Sequence, residues 1–184
     1  KTLMHGNLKT IDDHKTVVVV PSRPKAKYHT ILSYDGVTSG SHSWDFKINN
    51  ASMYIGICTK EGYIDKMGGN KHSLAMDVTD GSLWFDGKER GKLNYFGKVG
   101  DVVSMTIDLD LGVLEYSVNG FEIGKAFGVG SVNERLLDIR GTFKSEKSFA
   151  GVTLWEENDE CSIRGAGFAN GTLRLPWILD LQKT

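Results

Sequence analysis

The feature that most constrains this chain is a repeated alternation of apolar and polar residues with a period of two. In Val103-Ser104-Met105-Thr106-Ile107-Asp108-Leu109 every second side chain is apolar and those between are polar. Leu114, Tyr116 and Val118 alternate with Glu115 and Ser117, and Trp44, Phe46 and Ile48 alternate with Ser43, Asp45 and Lys47. An extended backbone turns successive side chains to opposite faces, so each run has one face for a core and one for water. Helical periodicity is almost absent. Short turn signals separate the runs: Asp35-Gly36, Asp80-Gly81, Asp86-Gly87 and Asn119-Gly120 accept the backbone of tight hairpins. The clearest hairpin runs from Val113 to Phe127, with Asn119-Gly120 at its tip.

Strands are expected at 17–20, 28–33, 43–48, 53–58, 73–78, 82–86, 102–109, 113–118, 122–127, 136–143, 148–155 and 160–164. Such close spacing with turns between implies an all-β fold, an antiparallel sandwich or barrel. At 184 residues the chain fits one domain, 1–184, with no internal repeat and no linker. Residues 1–20 are expected to add peripheral strands. The tail from 165 to 184 includes the apolar segment Leu173-Arg174-Leu175-Pro176-Trp177-Ile178-Leu179, which either docks on the sandwich or meets a neighbouring domain. The longest irregular stretches, 60–71 and 87–100, are where a sheet protein tends to carry binding chemistry.

Charge argues against two classes of partner. With 22 basic and 23 acidic side chains and no run of five like charges, nothing resembles a nucleic-acid groove or a membrane-surface patch. The cluster Arg23, Lys25 and Lys27 is too short for a phosphate track. No segment approaches the roughly 20 apolar residues of a membrane-spanning helix. Cys58 and Cys161 sit in strand-like surroundings and read as buried free thiols, with one disulfide as the alternative. The chain begins at Lys1, so it reads as part of a larger multidomain protein, intracellular and cytoplasmic in composition.

Several motifs together carry a family resemblance. Ser39-Gly40-Ser41-His42-Ser43-Trp44-Asp45-Phe46 resembles the "SGxHxWE" strand of SPRY (B30.2-like) domains. Gly100-Asp101-Val102-Val103-Ser104-Met105-Thr106-Ile107-Asp108 is similar to their "GDxVGxxLD" strand. At the family's spacing follow Gly112-Val113-Leu114-Glu115-Tyr116-Ser117-Val118-Asn119-Gly120 and Gly124-Lys125-Ala126-Phe127. The resemblance covers residues 20 to 164 and implies a two-sheet antiparallel β-sandwich of the concanavalin A-like jelly-roll type. Within the family the look is that of SOCS-box adaptors of the GUSTAVUS type. Arg23-Pro24-Lys25-Ala26 is similar to their peptide-holding "RPxA" loop, and Gly62-Tyr63-Ile64-Asp65-Lys66-Met67-Gly68-Gly69-Asn70 to their "GYxxxxGxN" loop. Trp155 matches their pocket tryptophan, with Leu154 before it. Glu156 stands where they carry glycine, and the strand around 137–148 holds an insertion.

What the resemblance implies is a partner-binding pocket of Arg23, Pro24, Ala26, Tyr63, Leu154, Trp155 and Glu156. Physically, Tyr63 and Trp155 suit peptide contact because rigid aromatics with a polar handle give large area at low entropic cost. Trp155 also reads as a core residue at a strand end, and Arg23 as a solvated loop arginine. In Trp84-Phe85-Asp86-Gly87 one aromatic must point away from the core; Trp84 is expected either to be a second contact or to cover another sheet, with the second reading preferred.

Catalytic and metal readings are poorly supported. The five histidines show no ligand spacing with either cysteine. Asp108-Leu109-Asp110-Leu111-Gly112 starts like a calcium loop but lacks the later glutamate, and reads better as a strand end and turn. Gly36-Val37-Thr38-Ser39-Gly40 has threonine where a nucleophile elbow needs serine. Gly165-Ala166-Gly167 lacks a dinucleotide fingerprint, and no strand offers a carboxylate pair on one face. The expectation is a non-enzyme without cofactor or metal that recognises a short segment of a partner protein. In the family's adaptors that segment belongs to a ubiquitin-ligase target. A lectin-like carbohydrate binder and a structural module of a larger protein are the alternatives.

Overall fold

In the computed structural model the described residues are 8–11, 16–19, 28–33, 36–49, 53–62, 66–143, 146–155 and 160–165. They form thirteen strands, in chain order β1 (Leu8–Ile11), β2 (Thr16–Val19), β3 (His29–Leu32), β4 (Ser41–Ile48), β5 (Met53–Thr59), β6 (Ser73–Asp77) and β7 (Ser82–Phe85). They continue as β8 (Lys88–Lys92), β9 (Val102–Asp108), β10 (Val113–Val118), β11 (Phe121–Gly128), β12 (Ser148–Leu154) and β13 (Glu160–Gly165), with a 3-10 turn at Lys60–Gly62 and one short α-helix, α1 (Ile139–Phe143). Two sheets result, ordered β1-β2-β13-β4-β9-β10-β11 and β3-β12-β5-β6-β7-β8. Every strand pairing among the described residues is antiparallel. The fold is therefore the two-sheet β-sandwich that the alternation demands.

The alternating runs supply the core between the sheets. Trp44, Phe46 and Ile48 of β4, Val103, Met105 and Ile107 of β9, and Leu114 and Tyr116 of β10 meet Met53, Ile55 and Ile57 of β5 and Ala150, Val152 and Leu154 of β12. A polar tie crosses this apolar layer: the Tyr116 hydroxyl donates to the Ile55 carbonyl at 2.8 Å. Two hairpin turns follow the dipeptide signals, with positive φ at Asp86 and Gly87 and at Asn119 and Gly120. Cys58 and Cys161 are buried free thiols.

Two local expectations fail for identifiable reasons. Residues 136–143 are not a strand; they end in α1, where Thr142 N–H bonds the Asp138 carbonyl at 3.0 Å. Ile139 and Phe143, four apart, are both buried, which is helical spacing inside a segment that read as merely apolar. Conversely β8, Lys88-Glu89-Arg90-Gly91-Lys92, lies in a stretch expected to be loop. It has no apolar row because it is an exposed edge strand, and its charges discourage pairing with another chain.

Candidate functional site

Strand β5 is buried along its whole length, so both of its faces are covered. Met53, Ile55 and Ile57 face the other sheet. Tyr54 and Cys58 lie on the outer face, in a second apolar layer with Leu32, Met67, Ala75 and Phe149. Tyr28, Trp84 and Trp155 pack against that layer and are only part-buried. Trp84 therefore points away from the core, but it covers the outer face of its own sheet rather than another sheet.

A loop roofs part of this layer, and its backbone bonds explain why it stays down. Met67 N–H donates to Thr153 Oγ1 at 3.0 Å, and that oxygen lies 2.7 Å from Thr30 Oγ1. Gly68 N–H donates to Ser73 Oγ at 3.0 Å, and the Gly68 carbonyl accepts from Gly87 N–H at 3.0 Å. Gly68 has φ +77°, and an added Cβ would stand 2.7 Å from Trp84 Cβ and 2.9 Å from the Trp84 carbonyl oxygen. Only glycine lets the loop come this close.

The rings are arranged around a cation. Trp155 stands edge-on to Tyr54 with centroids 5.0 Å apart, and Tyr28 lies 6.2 Å from Trp155. Tyr54 and Trp84 are nearly perpendicular at 88°, with centroids 6.1 Å apart. Into the corner they make comes Lys66 Nζ, 3.9 Å from the Trp84 centroid, 4.0 Å from that of Tyr54 and 5.6 Å from that of Tyr28. Hydrogen bonds fix the walls. Trp84 Nε1 donates to Ser82 Oγ at 2.9 Å, and the Tyr54 hydroxyl donates to the Asp77 carboxylate. Asp77 also accepts from Thr79 N–H at 2.9 Å. Burial, then the charge and hydrogen bond of Asp77, push the Tyr54 phenol well above its ordinary pKa. The phenol therefore stays neutral, and its ring face meets the ammonium as a quadrupole rather than as an anion. Asp80 adds negative potential near Tyr54 while paired with Lys92.

Of the residues expected to form the pocket, Arg23, Pro24, Ala26, Tyr63 and Glu156 lie outside the described residues. Trp155 is in the outer aromatic layer. Leu154, one residue earlier on the strand, faces the opposite way and is fully buried between the sheets. Sequence reasoning missed Tyr28, Tyr54 and Lys66. The signal for Tyr54 was available: in a run whose inward row is Met53, Ile55 and Ile57, an outward tyrosine is a ring on the far face. Lys66 carried no such signal, because nothing in its neighbours says where a loop lysine points.

Elsewhere, an open groove of about 600 Å³ is lined by residues including Arg90, Val132, Glu134 and Arg135, and does not touch the aromatic layer. The calcium-loop-like segment is a turn, in which Asp108 Oδ1 accepts from the N–H groups of Asp110 and Leu111. Among the described residues no group of three His, Cys, Asp or Glu is placed to hold a metal ion. No helix among them is long and apolar enough to cross a membrane.

The architecture is that of a two-sheet antiparallel β-sandwich, and comparison with known proteins narrows the class. The SPRY domain family model matches residues 41–136. Among solved structures, the SPRY domain of human HERC1 is 16% identical with a TM-score of 0.65, the match covering 86% of this chain and 92% of that one. The TRIM65 PSpry domain is 14% identical with a TM-score of 0.61, covering 86% and 85%, and a human SPRY domain is 15% identical with a TM-score of 0.64, covering 86% and 94%. At such identities the likeness is one of fold. No curated protein matches the chain in sequence. The chain belongs to the SPRY domain family, whose members are protein-interaction modules and generally not catalysts.

Proposed function

We propose that this domain recognises a short segment of a partner protein through the outer face of the β3-β12-β5-β6-β7-β8 sheet and the loops beside it. The observation that carries the reading is the layer of part-buried rings, Tyr28, Trp84 and Trp155, held on Tyr54 by a tightly bonded loop. Rings of this kind anchor interfaces because they bring area and a polar edge in a preformed arrangement. Arg23, Pro24, Ala26, Tyr63 and Glu156 are proposed to complete the contact, by resemblance to the SOCS-box adaptors. On the same ground the domain would be the substrate-recruiting part of a larger adaptor or ubiquitin ligase, a single non-catalytic unit. The intracellular setting fits two buried thiols that stay unpaired.

A pull-down from source lysate tests this, comparing wild type with folded Trp155→Ala and Tyr63→Ala variants. Loss of a central anchor costs binding roughly 2 kcal/mol or more. Partners held by wild type and lost by the variants support the reading. Partners held equally by all three overturn it, and retention on immobilised glycans alone would favour a carbohydrate ligand instead.

A further inference from the structure

The rings of the outer face do more than offer apolar area; they are set around a positive charge. Lys66 Nζ is almost equidistant from the centroids of Trp84 and Tyr54, at 3.9 and 4.0 Å, and the two rings are perpendicular. The two contacts therefore meet at the nitrogen at roughly a right angle. That corner suits a compact ammonium, whereas a planar guanidinium stacks on one face at a time. Tyr28 closes a third side at 5.6 Å. Asp77, directly across the strands from Tyr54, puts a carboxylate beside one of the walls.

The walls are fixed by contacts of their own, independent of the lysine. Trp84 is fixed by its bond to Ser82 and by the close approach of Gly68, and Tyr54 by its bond to Asp77. Lys66 reaches the corner by a long rotatable stem from a loop whose backbone is anchored at the next two residues, by Met67 to Thr153 and by Gly68 to Ser73. Swinging the stem away would leave the corner formed and vacant.

We infer that the corner of Tyr54, Trp84 and Tyr28 is a receptor for an ammonium-bearing side chain of the partner, a lysine or a methylated lysine, and that Lys66 is its resident occupant. This deepens the proposed function and rests on it. Binding the partner exchanges one ammonium for another, so Lys66 weakens cations that fit poorly and sets a threshold for those that fit well.

The test uses Nα-acetyl-trimethyllysine amide and its neutral isostere, in which a tert-butyl group replaces the trimethylammonium. Each is titrated into ¹⁵N-labelled protein while the indole N–H signals of Trp84 and Trp155 are followed. Lys66→Met keeps the stem and removes the charge, and Lys66→Gln serves if the first variant does not fold. The variant should bind the charged probe about tenfold more tightly than wild type, with the Trp84 signal moving most. The neutral isostere should bind about tenfold more weakly than the charged probe. Equal affinity of variant and wild type, or of the two probes, would overturn the inference and leave Lys66 as an internal clasp. If that happens while Trp155→Ala still loses the lysate partner, the cage alone has failed and the recognition surface stands.

Discussion

Replacing Gly68 by alanine tests whether the roof loop owes its position to that residue. Two costs can be separated. A non-glycine residue at φ +77° sits in the left-handed region, at about 1–2 kcal/mol. The added Cβ would then meet Trp84 Cβ at 2.7 Å and the Trp84 carbonyl oxygen at 2.9 Å. The carbonyl belongs to β7 and cannot rotate aside, so the loop must lift, with an overpacking cost of about 1–3 kcal/mol. Together the loss is about 2–5 kcal/mol, or roughly 4–20 °C in Tm for a chain this long. Gly120→Ala is the matched control. It has φ +82° at a hairpin tip with nothing within 4 Å of the added Cβ. It should therefore show only the conformational cost, about 1–2 kcal/mol. Urea unfolding followed by far-ultraviolet circular dichroism gives both numbers, and tryptophan emission should shift for Gly68→Ala as Trp84 becomes more exposed. Equal losses in the two variants would refute the close-approach argument.

Three further expectations follow from the same geometry. Tyr116→Phe removes the hydroxyl that bonds Ile55 across the core, and should lower the urea-unfolding free energy by about 1 kcal/mol; a loss under about 0.3 kcal/mol would mean the bond adds nothing. Asp101 is pushed up by partial burial but pulled further down, below 3.8, by hydrogen bonds from Asn119, Tyr95 and the Lys98 N–H. Its contribution is therefore present above its unfolded pKa and disappears as pH falls through the lower folded value, so Asp101→Asn should be less stable than wild type at neutral pH and converge with it in acid, once the carboxyl is protonated in the folded state too. A gap that persists in acid would contradict the assignment. Burial pushes both thiols up, with Glu160 adding to the effect at Cys161, so neither Cys58 nor Cys161 should react with an aromatic disulfide reagent until urea unfolds the domain.

The fold was legible where one face of a strand is buried and the other wet. The rows Trp44-Phe46-Ile48 and Val103-Met105-Ile107 specify both period and register, and the hairpin dipeptides mark two of the turns. Legibility stops where that asymmetry does. Edge strand β8 has two wet faces and no row to read, while residues 136–143 hid a helical spacing in an apolar run. For the site, Trp155 was legible only through the family resemblance, which also put Leu154 in the pocket; the alternation of the strand turns Leu154 into the core instead. The corner holding Lys66 was not legible, because it joins β5, β7, Tyr28 and a loop that are distant in sequence and meet only through sheet order.

The most direct test of the central claim, that recognition uses the outer aromatic face, is selection of a random displayed-peptide library on the wild-type domain. Selected peptides are then rebound to folded Trp155→Ala, Trp84→Leu and Phe121→Ser variants. Phe121 is exposed on β11, the edge strand of the other sheet, and serves as the control. The account predicts peptides that lose binding with either tryptophan variant and keep it with Phe121→Ser. Peptides indifferent to both tryptophans but lost with Phe121→Ser would contradict it and move the recognition surface to the opposite sheet.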